Sequence, residues 1–537
     1  MSILAGGPRS SLRALHSLSV ILLAIVLAAP PVGSFAAVDS IRVRTREHVF
    51  GSQLATGSAL AHQLPWTRIG GSPLSNLLPS TLNRQLIAPA SGQVVVDSQN
   101  PAWLRYHGGS PFFMCGPGDP EDFFYRGTRN SNGSRSGDQQ AIVDKLGGSG
   151  ANSIYLMAVR SHGGDGASTH NPFVDSDPAK GLDEDILQQW DDWLGQLDSA
   201  GILIFFIFYD DSASIWDTGD NVGGAEKAFI SALVNRYENL KHLIWVVAEE
   251  YTEAFSATRA ASIAAEIKAA DDRDHPVAIH KRNGLNFSEF ANSPAIDQFA
   301  IQYTANSSSG FHDALVSAWA DADGRYNLNM AEGHPDAFGD FARRRSWAVA
   351  MGGGYVMHLR WDVVGTDSDD LADCGRLVSF MESTDFNTMA PHDELAHGST
   401  DYVLANPGSS YIAYSDSAGS SLGIQDLTSG TYDLKWLDTA SGSSVTLTGV
   451  GVTGGDTLWS KPSPLGSEVA LYAKRTGALQ GLPGDVNGDG VVNVQDVQLC
   501  VNQVLGLSPT TPEADVNSDG SVNVLDVQLI VNILLGG

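Results

Sequence analysis

The sequence predicts an α/β fold, a (β/α)8 TIM barrel, with a small antiparallel β-sandwich and a short helical repeat behind it. Three observations carry this. Between residues 93 and 398, apolar runs of strand length alternate with amphipathic segments of helix length, which is the pattern of a parallel sheet covered by helices. Two of the runs, IWVVAEEY and YNLNMAEGH, bury an apolar body and end in carboxylates: Glu249 and Glu250 in one, Glu332 in the other. Barrels of this kind set their reactive side chains at the C-terminal ends of strands. Beyond residue 399 the helical period is lost, and short runs separated by Gly, Ser and Asp turns take its place.

Taken in order, the barrel strands are expected at 112–115, 153–159, 202–209, 243–248, 277–280, 299–303, 326–331 and 355–359. Helices are expected at 138–146, 185–199, 225–237, 257–270, 311–320, 341–350 and 370–382, with only a short, doubtful turn at 287–291. Eight units in about 280 residues match the usual size of this barrel. A doubly wound sheet would want a glycine-rich phosphate loop after its first strand, and none follows. In the all-β part, strands are expected at 402–404, 410–414, 421–425, 431–438, 444–447 and 469–474, the spacing of a small sandwich over 399–475.

The chain is 537 residues long with a formal net charge of −29, which argues against a nucleic-acid partner. Residues 1–37 read as a secretory signal: Arg9 and Arg13, an apolar core at 18–29, then Ser34-Phe35-Ala36 as the cleavage pattern. That core is too short to span a membrane, so export in soluble form is expected. Residues 38–92 form an extension without sustained periodicity. The three cysteines, Cys115, Cys374 and Cys500, lie far apart, and no disulfide framework is expected.

Behind a linker at 476–484, residues 485–537 contain a tandem repeat, DVNGDGVVNVQDVQL and DVNSDGSVNVLDVQL. Oxygen side chains recur at loop positions one, three, five, nine and twelve, with glycine at six, the spacing that wraps one calcium ion. The repeat resembles a type I dockerin, the module that anchors secreted glycan-degrading enzymes to cohesins. The resemblance implies structural Ca2+, ligands Asp485, Asn487, Asp489, Asn493 and Asp496 in one loop and Asp515, Asn517, Asp519, Asn523 and Asp526 in the other, and a cohesin-like partner. Where cellulosomal dockerins commonly place small hydroxyl residues, this chain has Val494-Gln495 and Val524-Leu525.

Two acids on different strands are the minimum for breaking a glycosidic bond: one protonated to donate, one ionised to attack. Glu249/Glu250 end strand four and Glu332 ends strand seven, an arrangement similar to the clan A glycoside hydrolases, which are retaining enzymes. The resemblance implies Glu332 as nucleophile and Glu250, or alternatively Glu249, as acid/base. It further implies Tyr303 as a hydrogen-bond donor to the nucleophile, Arg160 steadying its charge, and Trp361 as a sugar-stacking platform. His280, His334 and Asp210 are expected to bind sugar hydroxyls. A catalytic metal is not expected, since the histidines lack a close paired spacing. GQVVVDSQNPAWLRYHGGSPFFMCG and NPGSSYIAYSDSAGSSLGIQDLTSGTYDLKWLDTASG resemble the apiosidase-like secreted hydrolases, whose C-terminal sandwich is labelled collagen-binding. A secreted glycoside hydrolase acting on a polysaccharide is the resulting expectation. The alternative is an inactive barrel serving as a carbohydrate-binding or scaffold protein.

Overall fold

The computed structural model describes residues 87–117, 122–359, 363–478, 483–488 and 491–535. The signal read at 1–37, most of the 38–92 extension, Trp361 and Asp489 lie outside the described residues.

Eight parallel strands build the central sheet: Cys115–Pro117, Ser153–Met157, Leu203–Tyr209, Leu243–Ala248, Val277–Lys281, Gln298–Thr304, Asn327–His334 and Gly354–Leu359. From the second to the eighth, each pairs with its chain neighbours, and the eighth returns to pair with the first. The seam between the first and second strands is stitched by Asn152. Its amide donates to the Phe113 carbonyl at 2.8 Å, and its side-chain oxygen accepts the Cys115 N–H at 2.9 Å. Gly116 permits this approach, because a Cβ there would stand 2.3 Å from Ser153 Oγ. LIFFIFY and LIWVVA, the third and fourth strands, are buried at every residue, as a sheet covered by helices requires.

The covering helices are Gln139–Gly147, Glu184–Ser199, Gly224–Tyr237, Ala257–Ala270, Ser308–Ala322, Gly339–Met351 and Ser368–Glu382, and a single 3-10 turn, Ser288–Phe290, stands at the doubtful fifth connection. Several begin on a side-chain cap: Asp183, Ser256, Ser307 and Asp367 each accept a first-turn N–H.

Two expectations are corrected. The run at 112–115 is not one strand. Pro111–Phe112 joins an antiparallel sheet with Val94–Val96 and Leu104–Tyr106, and the barrel strand starts at Cys115. The carboxylate of Glu382, from the last barrel helix, takes the Phe113 N–H at 3.1 Å where the two strands part. The second correction concerns the cysteines. Cys115 and Cys374 form a disulfide across 259 residues of sequence, with Cα atoms 5.2 Å apart. Separation along the chain was a poor guide, because barrel closure sets the first strand beside the last helix.

Downstream, antiparallel sheets follow. One has six strands, Ala390–Pro391, Tyr402–Asn406, Ser410–Ser415, Val469–Gly477, Gly430–Asp438 and Ser444–Val452 in spatial order, and another has three, Ala396–Gly398, Ser421–Leu427 and Gly455–Ser460. Residues from both, among them Leu422, Ile424, Tyr432, Trp436 and Leu471, share a buried apolar cluster. The strand Gly455–Ser460 was missed, since its apolar pair Leu458-Trp459 sits among turn-forming residues. The sheets join the barrel through Glu468, which accepts both Arg343 Nε and Nη2 at 2.8 Å, Arg344 Nε at 3.1 Å and the Thr439 hydroxyl at 2.6 Å. Trp347 stacks on Tyr414 beside this cluster.

In the C-terminal repeat, each loop leads into a helix, Val494–Val504 and Val524–Leu534, through a capping box of Asn493 with Asp496 and Asn523 with Asp526. Val486, Cys500, Ala514 and Ile530 form its small buried core.

Candidate active site

Strand four hydrogen-bonds into the barrel as far as Ala248, and the Glu249 N–H still donates to the Tyr209 carbonyl at 2.9 Å. The chain then turns sharply. Glu250 adopts a left-handed backbone, φ 35° and ψ 49°, a conformation that costs a non-glycine residue roughly 1 kcal/mol or more. His280, inside strand five, holds it there: the Glu250 N–H donates to His280 Nδ1 at 2.9 Å.

On strand seven, Glu332 lies inside the strand rather than at its end, since pairing runs on to His334. A bulge sets its surroundings. Ile301 pairs with Met330, but Gln302 pairs with Glu332, so Ala331 is skipped. In simple register Tyr303 would stand beside Glu332. The bulge moves Gln302 into that place, and Tyr303 packs against Phe311. The hydroxyl that donates to Glu332 Oε1, at 3.1 Å, is that of Tyr155 from strand two. The part expected of Tyr303 is therefore taken by Tyr155 and Gln302.

Gln302 Nε2 donates to Glu250 Oε1 at 2.5 Å and to Glu332 Oε2 at 2.7 Å. The two bonds laid end to end reach about 5.2 Å, so these oxygens lie no farther apart than that. Glu249, Glu250 and Glu332 are all buried, at 6%, 6% and 5% exposure. Their proton affinities are driven apart. Burial pushes the Glu250 carboxyl up, its bond to Glu253 and the Glu332 charge add to this, and it reaches about 7 against the opposing pull of Gln302 and Arg282. Burial also pushes Glu332 upward, but the nearby imidazoles of His334 and His280 and hydrogen bonds from Glu249 and Gln302 outweigh it and hold this carboxyl at about 2. One acid is thus protonated near neutrality and its neighbour ionised.

The remaining expected residues divide. His334 Nε2 stands 3.8 Å from Glu332 Oε2, and its side chain is a third exposed, so it links the buried acid to solvent. His280 is wholly buried, out of reach of a sugar hydroxyl. Because its Nδ1 accepts an N–H, its proton sits on Nε2, which faces Glu332 Oε1 at 3.8 Å. Ligand atoms of Glu249, His280 and Glu332 cluster within 4.8 Å, yet that tautomer turns a donor toward the carboxylates, not a metal-binding lone pair. Asp210 is buried and occupied: it accepts Arg160 Nε at 2.9 Å and the Asp165 N–H at 3.1 Å. Arg160 is bound by Asp210 and Asp122. These two brace the loop after strand two instead of presenting to a sugar. Sequence reasoning passed over Tyr155, Gln302 and the rim pair Glu253–Arg282, whose guanidinium also meets Glu250 Oε2 at 3.2 Å. Next to Asp210, burial with the charges of Asp210, Asp165 and Glu253 lifts the Asp211 carboxyl to about 6. Strand alternation could have found Tyr155; nothing in the sequence signals the bulge.

In the repeat, the described loop residues fit a cation. Residues 483–535 contain seven Asp or Glu and no Lys, Arg or His, and Asp485, Asp496 and Asp526 are buried. The Asn487 and Asn493 N–H groups fix the two Asp496 oxygens, and those of Asn517 and Asn523 fix Asp526. Buried carboxylates without a cationic side chain in the sequence of the module are compatible with a bound cation.

Residues 98–333 match the family described as "Apiosidase-like, catalytic domain", and residues 483–535 match "Dockerin type I domain". No curated protein matches the chain. Among solved structures, a glycoside hydrolase family 5 protein from Bacteroides vulgatus aligns at 13% identity with TM-score 0.55, covering 72% of this chain and 94% of its own. A protein described only as "Glycoside hydrolase" aligns at 14% identity with TM-score 0.53, covering 72% and 97%. These structures share the fold. The family matches, not the shared fold, make residues 98–333 an apiosidase-like catalytic domain and residues 483–535 a type I dockerin domain.

Proposed function

We propose that this apiosidase-like barrel hydrolyses glycosidic bonds of a polysaccharide by retaining double displacement. Glu332 attacks the anomeric carbon and forms a glycosyl ester, while Glu250 gives its proton to the departing oxygen. Glu250 then takes a proton from water, the water oxygen bonds to the anomeric carbon, and Glu332 leaves as carboxylate. The observation that carries this reading is the Glu250–Glu332 pair itself: two buried carboxyls bridged by one amide, with Glu250 Oε1 and Glu332 Oε2 no more than about 5.2 Å apart, one carboxyl lifted to about 7 and one held at about 2. Retaining enzymes keep their carboxyls about 5–5.5 Å apart, whereas inverting ones need roughly 6.5–9.5 Å to admit water.

Glu249 hydrogen-bonds Glu332 and is read as an orienting group, occupying the place where clan A enzymes keep an amide. His334, partly exposed beside Glu332, is read as a sugar-hydroxyl partner. Glu332→Gln should abolish turnover while glycan binding persists; turnover at the wild-type rate would refute the assignment. Glu249→Gln keeps a donor toward Glu332 and should retain at least a tenth of the activity, whereas Glu250→Gln should lose 10²-fold or more on substrates with poor leaving groups.

The dockerin tail supports an extracellular enzyme held on a cohesin-like partner, with Ca2+ ordering both loops. The disulfide fits export, since such bonds persist in oxidising compartments. Val494, Val524 and Leu525 are well exposed on the repeat helices, and apolar residues there suit a protein partner better than solvent.

A further inference from the structure

We infer that Gln302 is a positioning residue, whose amide nitrogen fixes the spacing and orientation of the Glu250 and Glu332 carboxyls before a sugar arrives. The inference rests on the reading of that pair as acid/base and nucleophile.

Carboxylates only accept, and the terminal nitrogen of a glutamine carries two N–H groups, one for each. Because those hydrogens diverge by about 120° in one plane, acceptors at the observed 2.5 and 2.7 Å stand about 4.5 Å from each other. The planar amide thus acts as a spacer of fixed length between acids on strands four and seven. Two carboxyls so close would otherwise swing apart or bond to each other through a shared proton.

Gln302 reaches the pair because of the backbone. The register shift between Ile301 and Gln302 skips Ala331 on strand seven and brings Gln302 beside Glu332. Without the shift, Gln302 would face Ala331 and its amide could not serve both acids. Its neighbours in sequence do other work, with Tyr303 packed on Phe311 and Ile301 buried in the core. Gln302 is itself buried, so water cannot substitute for its two bonds. Both bonds favour the ionised form of their acceptor, and Gln302 lowers the proton affinity of Glu250 and Glu332 alike.

The test uses the full chain, with Gln302→Met to keep length and remove both donors, and Gln302→Asn to keep the amide but shorten its reach. Carboxyl titrations of Glu250 and Glu332 are followed by 13C NMR of glutamate-labelled protein, with signals assigned through Glu250→Gln and Glu332→Gln. The titrations need no substrate. Both should move to higher pH in Gln302→Met and in Gln302→Asn, with a melting temperature near wild type for at least one variant. On the glycan that the enzyme hydrolyses, both limbs of the pH profile should shift the same way. The turnover number kcat should fall tenfold or more, with KM changed less than threefold. Unmoved titrations in both variants would overturn the inference, since a merely structural amide would lower stability without moving them. Wild-type titrations in Gln302→Asn alone would also overturn it, by showing that reach is immaterial. Should Glu332→Gln remain active, the reading of the pair fails instead, whatever Gln302 does.

Discussion

Glu250 concentrates several costs in one side chain: a left-handed backbone, a buried carboxyl and a like charge nearby. Each makes sense for a group that must hold a proton near neutral pH. Glu332 meets the same burial but takes hydrogen bonds from Tyr155 and Gln302, with the His334 imidazole close by. The pH dependence follows from these two directions. The proposed mechanism needs Glu332 ionised, which holds above about 2, and Glu250 protonated, which holds below about 7. The value of kcat/KM should therefore be flat through mildly acidic pH and fall about tenfold per unit above about 7, because only the protonated fraction of Glu250 can donate. A profile that keeps rising from pH 7 to 9 would contradict the assignment. His280 belongs to the same account. Replacing it with Ala should lower activity without a sugar-binding defect, as the left-handed Glu250 loses the acceptor for its N–H; a change confined to KM would point to sugar contact.

At the scale of elements, most of the barrel was legible. The apolar runs of strands three and four and the helix at 257–270 are where hydrophobic periodicity sets them, because burial on both faces of a parallel strand leaves an unbroken signal. Glu249, Glu250 and Glu332 were legible for the same reason, as carboxylates interrupting an apolar run. Three features were not. The bulge between Ile301 and Gln302 leaves no mark in residue type, and it sets Gln302 rather than Tyr303 beside Glu332. Arg160 and Asp210 stand at strand ends, as expected, but pair with each other, a choice made by loops packing in three dimensions. The break between Phe112 and Cys115 depends on Glu382, some 270 residues away in the chain. At this scale the Asn152 stitch is testable. Asn152→Ala removes the side-chain bonds to Phe113 and Cys115 at the barrel seam. It should cost about 2 kcal/mol by denaturant unfolding, since each buried partner is left unsatisfied; no measurable change would mean that the seam is held elsewhere.

At the scale of the molecule, barrel and antiparallel sheets share one buried charge cluster, and a disulfide locks the barrel's first strand to its last helix. Removing Glu468 takes the bidentate partner from the buried Arg343 and leaves it only Asp340 and Asp373, so Glu468→Ala should destabilise by about 2 kcal/mol, read as a lower denaturation midpoint. The pH sign is also fixed. Burial pushes the Glu468 carboxyl up, but Arg343, Thr439 and Arg344 outweigh this and hold it below the usual range. Its contribution is thus complete above the unfolded carboxylate value and is lost as pH falls through the folded one. The tail stands apart energetically: with seven acids and no base between 483 and 535, it should lose helical circular dichroism on chelation, and an unchanged spectrum would remove the calcium assignment. All of these surround one central claim, that two carboxyls bridged by a single amide carry out a double displacement. Proton NMR of the first-formed product, recorded before mutarotation on the glycan that the enzyme cleaves, tests it most directly. The account predicts that the new reducing end keeps the anomeric configuration of the bond broken. An inverted anomer would contradict it.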